Sequence, residues 1–364
     1  MSDNVRRFRS IFNALKTLYP FDPTGNLVRH LTTLSYLING IVGSKSSNLP
    51  NIADKNVDTT KKESRVKRYT RWVQNERIEY ELYFLPFLQI LLDSLAGQTL
   101  ALAIDCSVVG RGCMCLMVSL IYKKRALPLC WLVVSQKKGH LSEEMHIELL
   151  EQLQKIIPEG TNVVFLGDGE FDGTQFLDTI DRYGWQYVCR TAKNSILTEN
   201  DEEFVFENMD VGKDDFFSLP EVYFTKEQYG PIHAILWWEK TYKKPIYLIT
   251  NIELAMEACY WYKKRFCIET FFSDQKSRGF NLHKSHISDP ERIEKLLIPA
   301  CLAYIWIVYL GTLAIKEQWY KIIHRTNRCD LSLFRLGLVL LDHFINQQMD
   351  IHVHFKMLKF QNPF

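Results

Sequence analysis

Tyr262, Arg265, Glu269 and Lys276 stand in the segment YKKRFCIETFFSDQK at a spacing suited to chemistry. At about 100° per residue they project onto one helical stripe about 60° wide and about 21 Å long. The stripe sets one carboxylate among donors suited to phosphate, although an ordinary i,i+4 pairing of Arg265 with Glu269 also accounts for part of it. Two further carboxylates share a setting. Asp105 and Asp168 each close an apolar run, LALAID and VVFLGD, and a turn containing Gly follows each. Neighbouring strand ends bring such residues to one rim, where open α/β sheets bind ligands. An Asp at a strand end is often only a turn residue, so it is the pair that carries weight.

The elements that must hold these residues follow from the texture of the chain. Residues 1–98 read as helical: Leu27–Val42 is apolar at helical spacing, 44–60 is a polar loop, and helix returns from Lys62 with breaks near Pro86 and Gly97. From Thr99, three apolar runs (ALAIDCSV, CMCLMVSLIY, ALPLCWLVVS) predict an antiparallel meander. A helix over Ser142–Ile157, with its SEE start as an N-terminal cap, leads to the strand NVVFLGD. A helix over Asp172–Tyr183 and the strand WQYVCR add parallel strands to the same sheet. Residues 195–250 interrupt this alternation with an acidic patch and the runs EVYFT, HAILWW and PIYLIT, a β-rich insertion. A long helix over Leu254–Gly279 follows, then a buried helix after Pro290, and the last forty or so residues form a helical closing segment with a weakly ordered tail.

Composition sets the class. Hydrophobic content of 47% and charged content of 24% describe a soluble globular chain, and 364 residues imply more than one domain. Nine scattered cysteines without a C-x2-C pair point to reduced thiols, and Cys113 and Cys115 to core packing. The segment Leu296–Ile315 has no charge, but its Pro, Gly, Tyr and Trp content fits a buried core helix better than a membrane span. Net charge is only +2, yet residues 1–98 hold 14 Lys and Arg against 9 Asp and Glu. Six of those basic residues fall in Lys61–Arg71, beside Tyr69 and Trp72. That stretch suits a phosphate backbone, and a solvated helix face equally well. His140 and His146 read as surface or capping residues. There is no G-x-S-x-G, P-loop, G-x-G-x-x-G or H-E-x-x-H, so nothing points to ATP-driven chemistry.

The spacing Y-(2)-R-(3)-E-(6)-K is complete at Tyr262, Arg265, Glu269 and Lys276. It resembles the signature of bacterial cut-and-paste DDE transposases of insertion sequence family four, whose catalytic core is ribonuclease-H-like. KESRVKRYTRWVQN, FLGDGEFDG, YLITN and GFNLHKSHISDPERIEKLL are also similar to family blocks, so the resemblance covers nearly the whole chain. One departure is Gly169, where many relatives carry Arg.

The resemblance implies an α/β fold: a ribonuclease-H-like mixed sheet flanked by helices, interrupted by a β-rich insertion, with a helical N-terminal domain. It divides the chain into a DNA-binding domain (1–98), a catalytic core in two parts (99–194 and 251–320), the insertion (195–250) and a C-terminal helical segment (321–364). Asp105, Asp168 and Glu269 become the catalytic triad holding Mg²⁺, for which Mn²⁺ can substitute. Tyr262, Arg265 and Lys276 become DNA phosphate contacts, with Arg190 and Lys193 as further backbone contacts. Trp237 or Trp238 would stack a flipped base, with core packing as the alternative for at least one of them. The expected partners are double-stranded DNA with terminal inverted repeats, target DNA, and a second copy in a synaptic dimer. A cytoplasmic, nucleoid-associated bacterial location without membrane follows. The rival readings are a ribonuclease-H-like nuclease without strand transfer, and a protein that only binds DNA.

Overall fold

The computed structural model describes residues 2–56, 58–137 and 139–360. The tail expected to be weakly ordered lies partly outside them. Amphipathic segments form α1 (Asp3–Leu18), α2 (Gly25–Ser44), α3 (Leu49–Ala53), α4 (Lys62–Gln74), α5 (Tyr80–Tyr83) and α6 (Leu85–Asp93). The loop expected over 44–60 thus contains the short α3. In α4, Tyr69 and Trp72 are core residues rather than partners for a DNA strand. Asp58 binds Arg65 Nε at 3.0 Å and Arg68 Nη2 at 2.7 Å. Lys61, Lys67 and Arg71 remain exposed.

The β-branched runs form β1 (Leu100–Gly110), β2 (Cys113–Tyr122), β3 (Arg125–Ser135), β4 (Val163–Gly167) and β5 (Gln186–Thr191), with α7 (Glu143–Ile156) and α8 (Thr174–Arg182) between them. β1, β2 and β3 make the expected antiparallel meander, and β4 lies parallel to both β1 and β5. Cys113 and Cys115 both face the core. Ser142 stands at the N-cap of α7 but makes no capping hydrogen bond. Glu143 beside it reaches across to accept from Phe176 N at 2.9 Å, so it caps α8 instead. His146, on the inward face of α7, is buried against Phe171 with ring centroids 4.7 Å apart, which corrects the surface placement. His140 is exposed, as expected.

The insertion supplies β6 (Ile196–Glu199), β7 (Glu202–Val205), β8 (Asp215–Phe224), β9 (Tyr229–Trp238) and β10 (Ile246–Thr250). Its strands continue the core sheet: β10 pairs antiparallel with β5 and β9, giving ten strands in the order β3-β2-β1-β4-β5-β10-β9-β8-β6-β7 among the described residues. The expected long helix is two helices, α9 (Ala255–Lys264) and α10 (Cys267–Gln275). They are joined by tight i→i+3 bonds from Arg265 N to Tyr262 O and Ile268 N to Arg265 O.

α11 (Pro290–Lys316) follows, then α12 (Tyr320–Ile323) and α13 (Leu333–Asn346). α11 is long and apolar enough to cross a membrane, but the qualifying window is wholly buried. It packs against β3, α2, α4 and α13, so the N-terminal helices share one apolar core with the sheet. α13 crosses α11 at backbone contact: a Cβ on Gly337 would run into the Ile307 carbonyl oxygen, and one on Gly311 into that of Leu333. Both collisions are with backbone, which cannot swing away. Gly337→Ala is therefore expected to lower stability by about 1–3 kcal/mol, as overpacking does, read as a drop in the urea midpoint. An unchanged midpoint would mean that the helices do not touch there.

Candidate active site

β4 ends in Gly167 because a Cβ there would sit 2.8 Å from Phe171 Cβ and 3.0 Å from Cys189 Sγ. The chain then turns at Asp168, with Phe171 N bonded to Asp168 O at 3.0 Å and Glu170 N to Asp168 Oδ1 at 3.1 Å. The parallel ladder of β1 and β4 ends at Ala103 opposite Leu166, and the same register carries Asp105 opposite Asp168. Asp105 is not at a strand end, however, because β1 runs on to Gly110 beside β2. It sits where the parallel ladder stops, and that places it on the same rim. Cys106 N donates to its Oδ1 at 2.8 Å.

Glu269, in the first turn of α10, faces these two across the side chain of Arg265. Arg265 Nη2 donates to Glu269 Oε1 at 3.3 Å, and Nη1 lies 3.8 Å from Asp168 Oδ2. Burial works against the Arg265 charge, but Tyr262, Asp168, Asp105 and Glu269 outweigh it and hold its pKa above the ordinary arginine value. Its Nε and Nη1 are buried without a hydrogen-bond acceptor. Burial, reinforced by Asp168 and Glu269, pushes the Asp105 carboxyl up to about 6 against the pull of Cys106 N and Arg265.

Tyr262 is buried, and burial raises its pKa against the nearby positive charges of Arg265 and Arg190. Lys276 lies just past α10 and donates from Nζ to Ser107 Oγ at 2.6 Å, with Asp105 nearby. Tyr262, Arg265 and Lys276 thus gather with Asp105, Asp168 and Glu269, and Arg190 stands exposed near Tyr262. Lys193, Trp237 and Trp238 lie further out. Lys193 is ion-paired with Glu207 at 2.5 Å. Trp237 is covered by Tyr242, with ring centroids 5.4 Å apart, and by Lys263, while Trp238 Nε1 donates to Tyr242 O at 3.1 Å. Ser107 and Glu170 were not singled out from the sequence. Strand alternation was the available signal for Ser107, which shares Asp105's face of β1.

Among the described residues, no group of three His, Cys, Asp or Glu side chains is gathered closely enough to hold a metal ion as it stands. Arg265 bridges Asp168 and Glu269, and its charge answers the crowded carboxylates. The donor set nevertheless suits a hard divalent cation: three oxygen-donor carboxylates from separate elements, set around one buried positive charge.

Residues 105–306, more than half of the chain, match the family described as Transposase DDE domain. The chain belongs to that family. This stretch runs from Asp105 through Asp168, Arg265 and Glu269, so the geometry above lies within the matched region. Among solved structures, the transposase is similar to piggyBac transposase in its synaptic complex with hairpin DNA, at TM-score 0.46 and 12% identity over 96% of this chain and 82% of that one. It is also similar to human ENDOV, at TM-score 0.26 and 13% identity over 61% of this chain and 96% of that one. No curated protein matches. Members of the family generally use divalent metal ions and act on DNA. At Gly169, a Cβ would meet nothing nearer than Arg190 O at 3.9 Å, so the fold leaves room for a side chain there.

Proposed function

We propose that the transposase carries out cut-and-paste transposition, cleaving DNA at the terminal inverted repeats of an insertion sequence and joining the freed 3′ ends to target DNA. One observation carries the reading: Asp105, Asp168 and Glu269, from three different elements, converge on the buried Arg265 guanidinium. Mg²⁺ ions held by these three carboxylates would stabilise charge on the attacking and leaving oxygens of an in-line phosphoryl displacement. The chain's own donors do the rest. Arg265 leaves Nε and Nη1 without acceptors, and release of Nη2 from Glu269 would complete a forked donor for a phosphate's oxygens. Lys276 brings a second cation to the same rim, and Arg190 a third at its outer side. The Tyr262 ring lies against Arg265, whose Cζ is 5.9 Å from the ring centroid. A phosphodiester clamped this way presents its phosphorus to water for nicking, which expels the 3′-OH; a second phosphodiester, in the target, held in the same site would then take that 3′-OH at its own phosphorus and expel its own 3′-oxygen.

Trp237 or Trp238 as a base-stacking residue, Lys193 as a backbone contact, Tyr262 as a phosphate contact and a homodimer joining two ends belong to the same proposal, as does a nucleoid-associated cytoplasmic location. Purified protein incubated with Mg²⁺, inverted-repeat DNA and a target plasmid is expected to yield both free ends and joined products. Nicks without joining would replace this reading with a nuclease lacking strand transfer.

A further inference from the structure

Lys276 sits beyond the last residue of α10, at φ −95° and ψ −117°. Helix geometry therefore does not aim its side chain, and a free lysine stem has about 2 kcal/mol of rotamer entropy to lose. Its direction comes from β1. Nζ donates to Ser107 Oγ at 2.6 Å, a contact between residues 169 positions apart. Ser107 is two residues beyond Asp105 in a strand pinned on its far side by β2, opposite Cys115. Alternation along the strand keeps the serine hydroxyl on the face that carries the carboxylate. The hydroxyl accepts from the ammonium and keeps its own proton for a second partner.

We propose that Ser107 is a positioning residue: it holds the Lys276 ammonium at the Asp105 rim, so that an incoming phosphate meets a preset cation. This rests on the rim being the strand-cleavage site argued under Proposed function.

The test uses the full chain with Ser107→Ala and Ser107→Thr, each alone and combined with Lys276→Met. The first readout needs no activity: the rate at which acetic anhydride labels Lys276, measured by mass spectrometry relative to the exposed Lys61 and Lys67. Ser107→Ala is expected to raise that relative rate about tenfold, while Ser107→Thr, which keeps a hydroxyl, stays at the wild-type rate. The second readout is Mg²⁺-dependent cleavage of duplex DNA. Ser107→Ala is expected to slow it about tenfold at unchanged DNA affinity, as loss of an outer-shell partner does, and to have no further effect once Lys276 is Met. Unchanged labelling in Ser107→Ala, or equal labelling in the Ala and Thr variants, overturns the proposal whatever the activity. Additive losses with Lys276→Met overturn it too. A wild-type protein that cleaves nothing instead overturns the cleavage-site reading, and labelling alone then decides whether Ser107 holds Lys276.

Discussion

Asp105→Asn is expected to abolish strand cleavage and to raise the melting temperature of the metal-free protein. On the first count, in the metal site proposed above, losing one of the three carboxylates removes several kcal/mol of transition-state stabilisation. At 1.36 kcal/mol per tenfold, a loss of about 4 kcal/mol slows cleavage about 10³-fold. The second count follows from the carboxyl's surroundings. Burial and two neighbouring carboxylates move its pKa from 3.8 to about 6. The charged form is therefore worse off folded than unfolded. That penalty is absent below the unfolded pKa, grows as pH rises, and is complete above the folded value of about 6. Asparagine carries no charge and escapes it. The variant should melt higher than wild type at about pH 7, and the gap should close towards about pH 4. Scanning fluorimetry in EDTA at both pH values checks this, and identical melting at the higher pH would refute the crowded-carboxylate account. A gain of about 1 kcal/mol corresponds to roughly 2 °C in a chain of this size.

Arg125→Ala is expected to be among the most destabilising single changes in the molecule. Arg125 Nη1 donates to Asp274 Oδ2 at 3.0 Å, with only 13% and 5% of the two side chains exposed. The Tyr304 hydroxyl adds a longer bond to the same oxygen at 3.5 Å. Without the guanidinium, Asp274 keeps its burial and loses its counter-charge, a change that costs about 3–5 kcal/mol. The consequence reaches the rim, because Arg125 opens β3 while Asp274 lies on α10, the helix that bears Glu269. Joint replacement by Arg125→Met and Asp274→Leu is expected to recover most of the loss, since an apolar pair of similar volume suits such a site. Urea titrations of the three proteins measure both effects. A single-variant loss under about 1 kcal/mol would mean that the pair is solvated.

Much of this architecture was legible because apolar alternation and helical periodicity are local signals. The meander and the parallel strand β4 follow from runs of a dozen residues or fewer, and the buried α11 from a single uncharged run over Leu296–Ile315. What stayed hidden is what depends on distant partners. Nothing local in PIYLIT says that β10 pairs with β5, so the insertion read as a separate unit. The 265–266 break between α9 and α10 leaves backbone angles in the right-handed region at Arg265 and Phe266, so no glycine or proline marks it. His146 and Tyr69 were misplaced because a polar tip does not reveal which helix face it is on. At the site, Asp168 follows the end of its strand as read, whereas Glu269 and its partners meet across a broken helix rather than along one continuous stripe. Asp105 reaches the rim by a different route, a ladder that stops while its strand continues.

The enclosure of α11 sets a condition on how the molecule comes into being. α13 covers one flank of α11 and lies later in the chain, so a growing polypeptide exposes a membrane-grade helix before its cover has been made. Until residues 333–346 have emerged, that flank presents the surface that insertion machinery and chaperones recognise. A fragment ending between α11 and α13 would keep Asp105, Asp168 and Glu269, yet leave that apolar flank of α11 bare. For this transposase, a chain cut short before α13 is therefore expected to aggregate where the full chain stays in solution, as sedimentation of the two would read out.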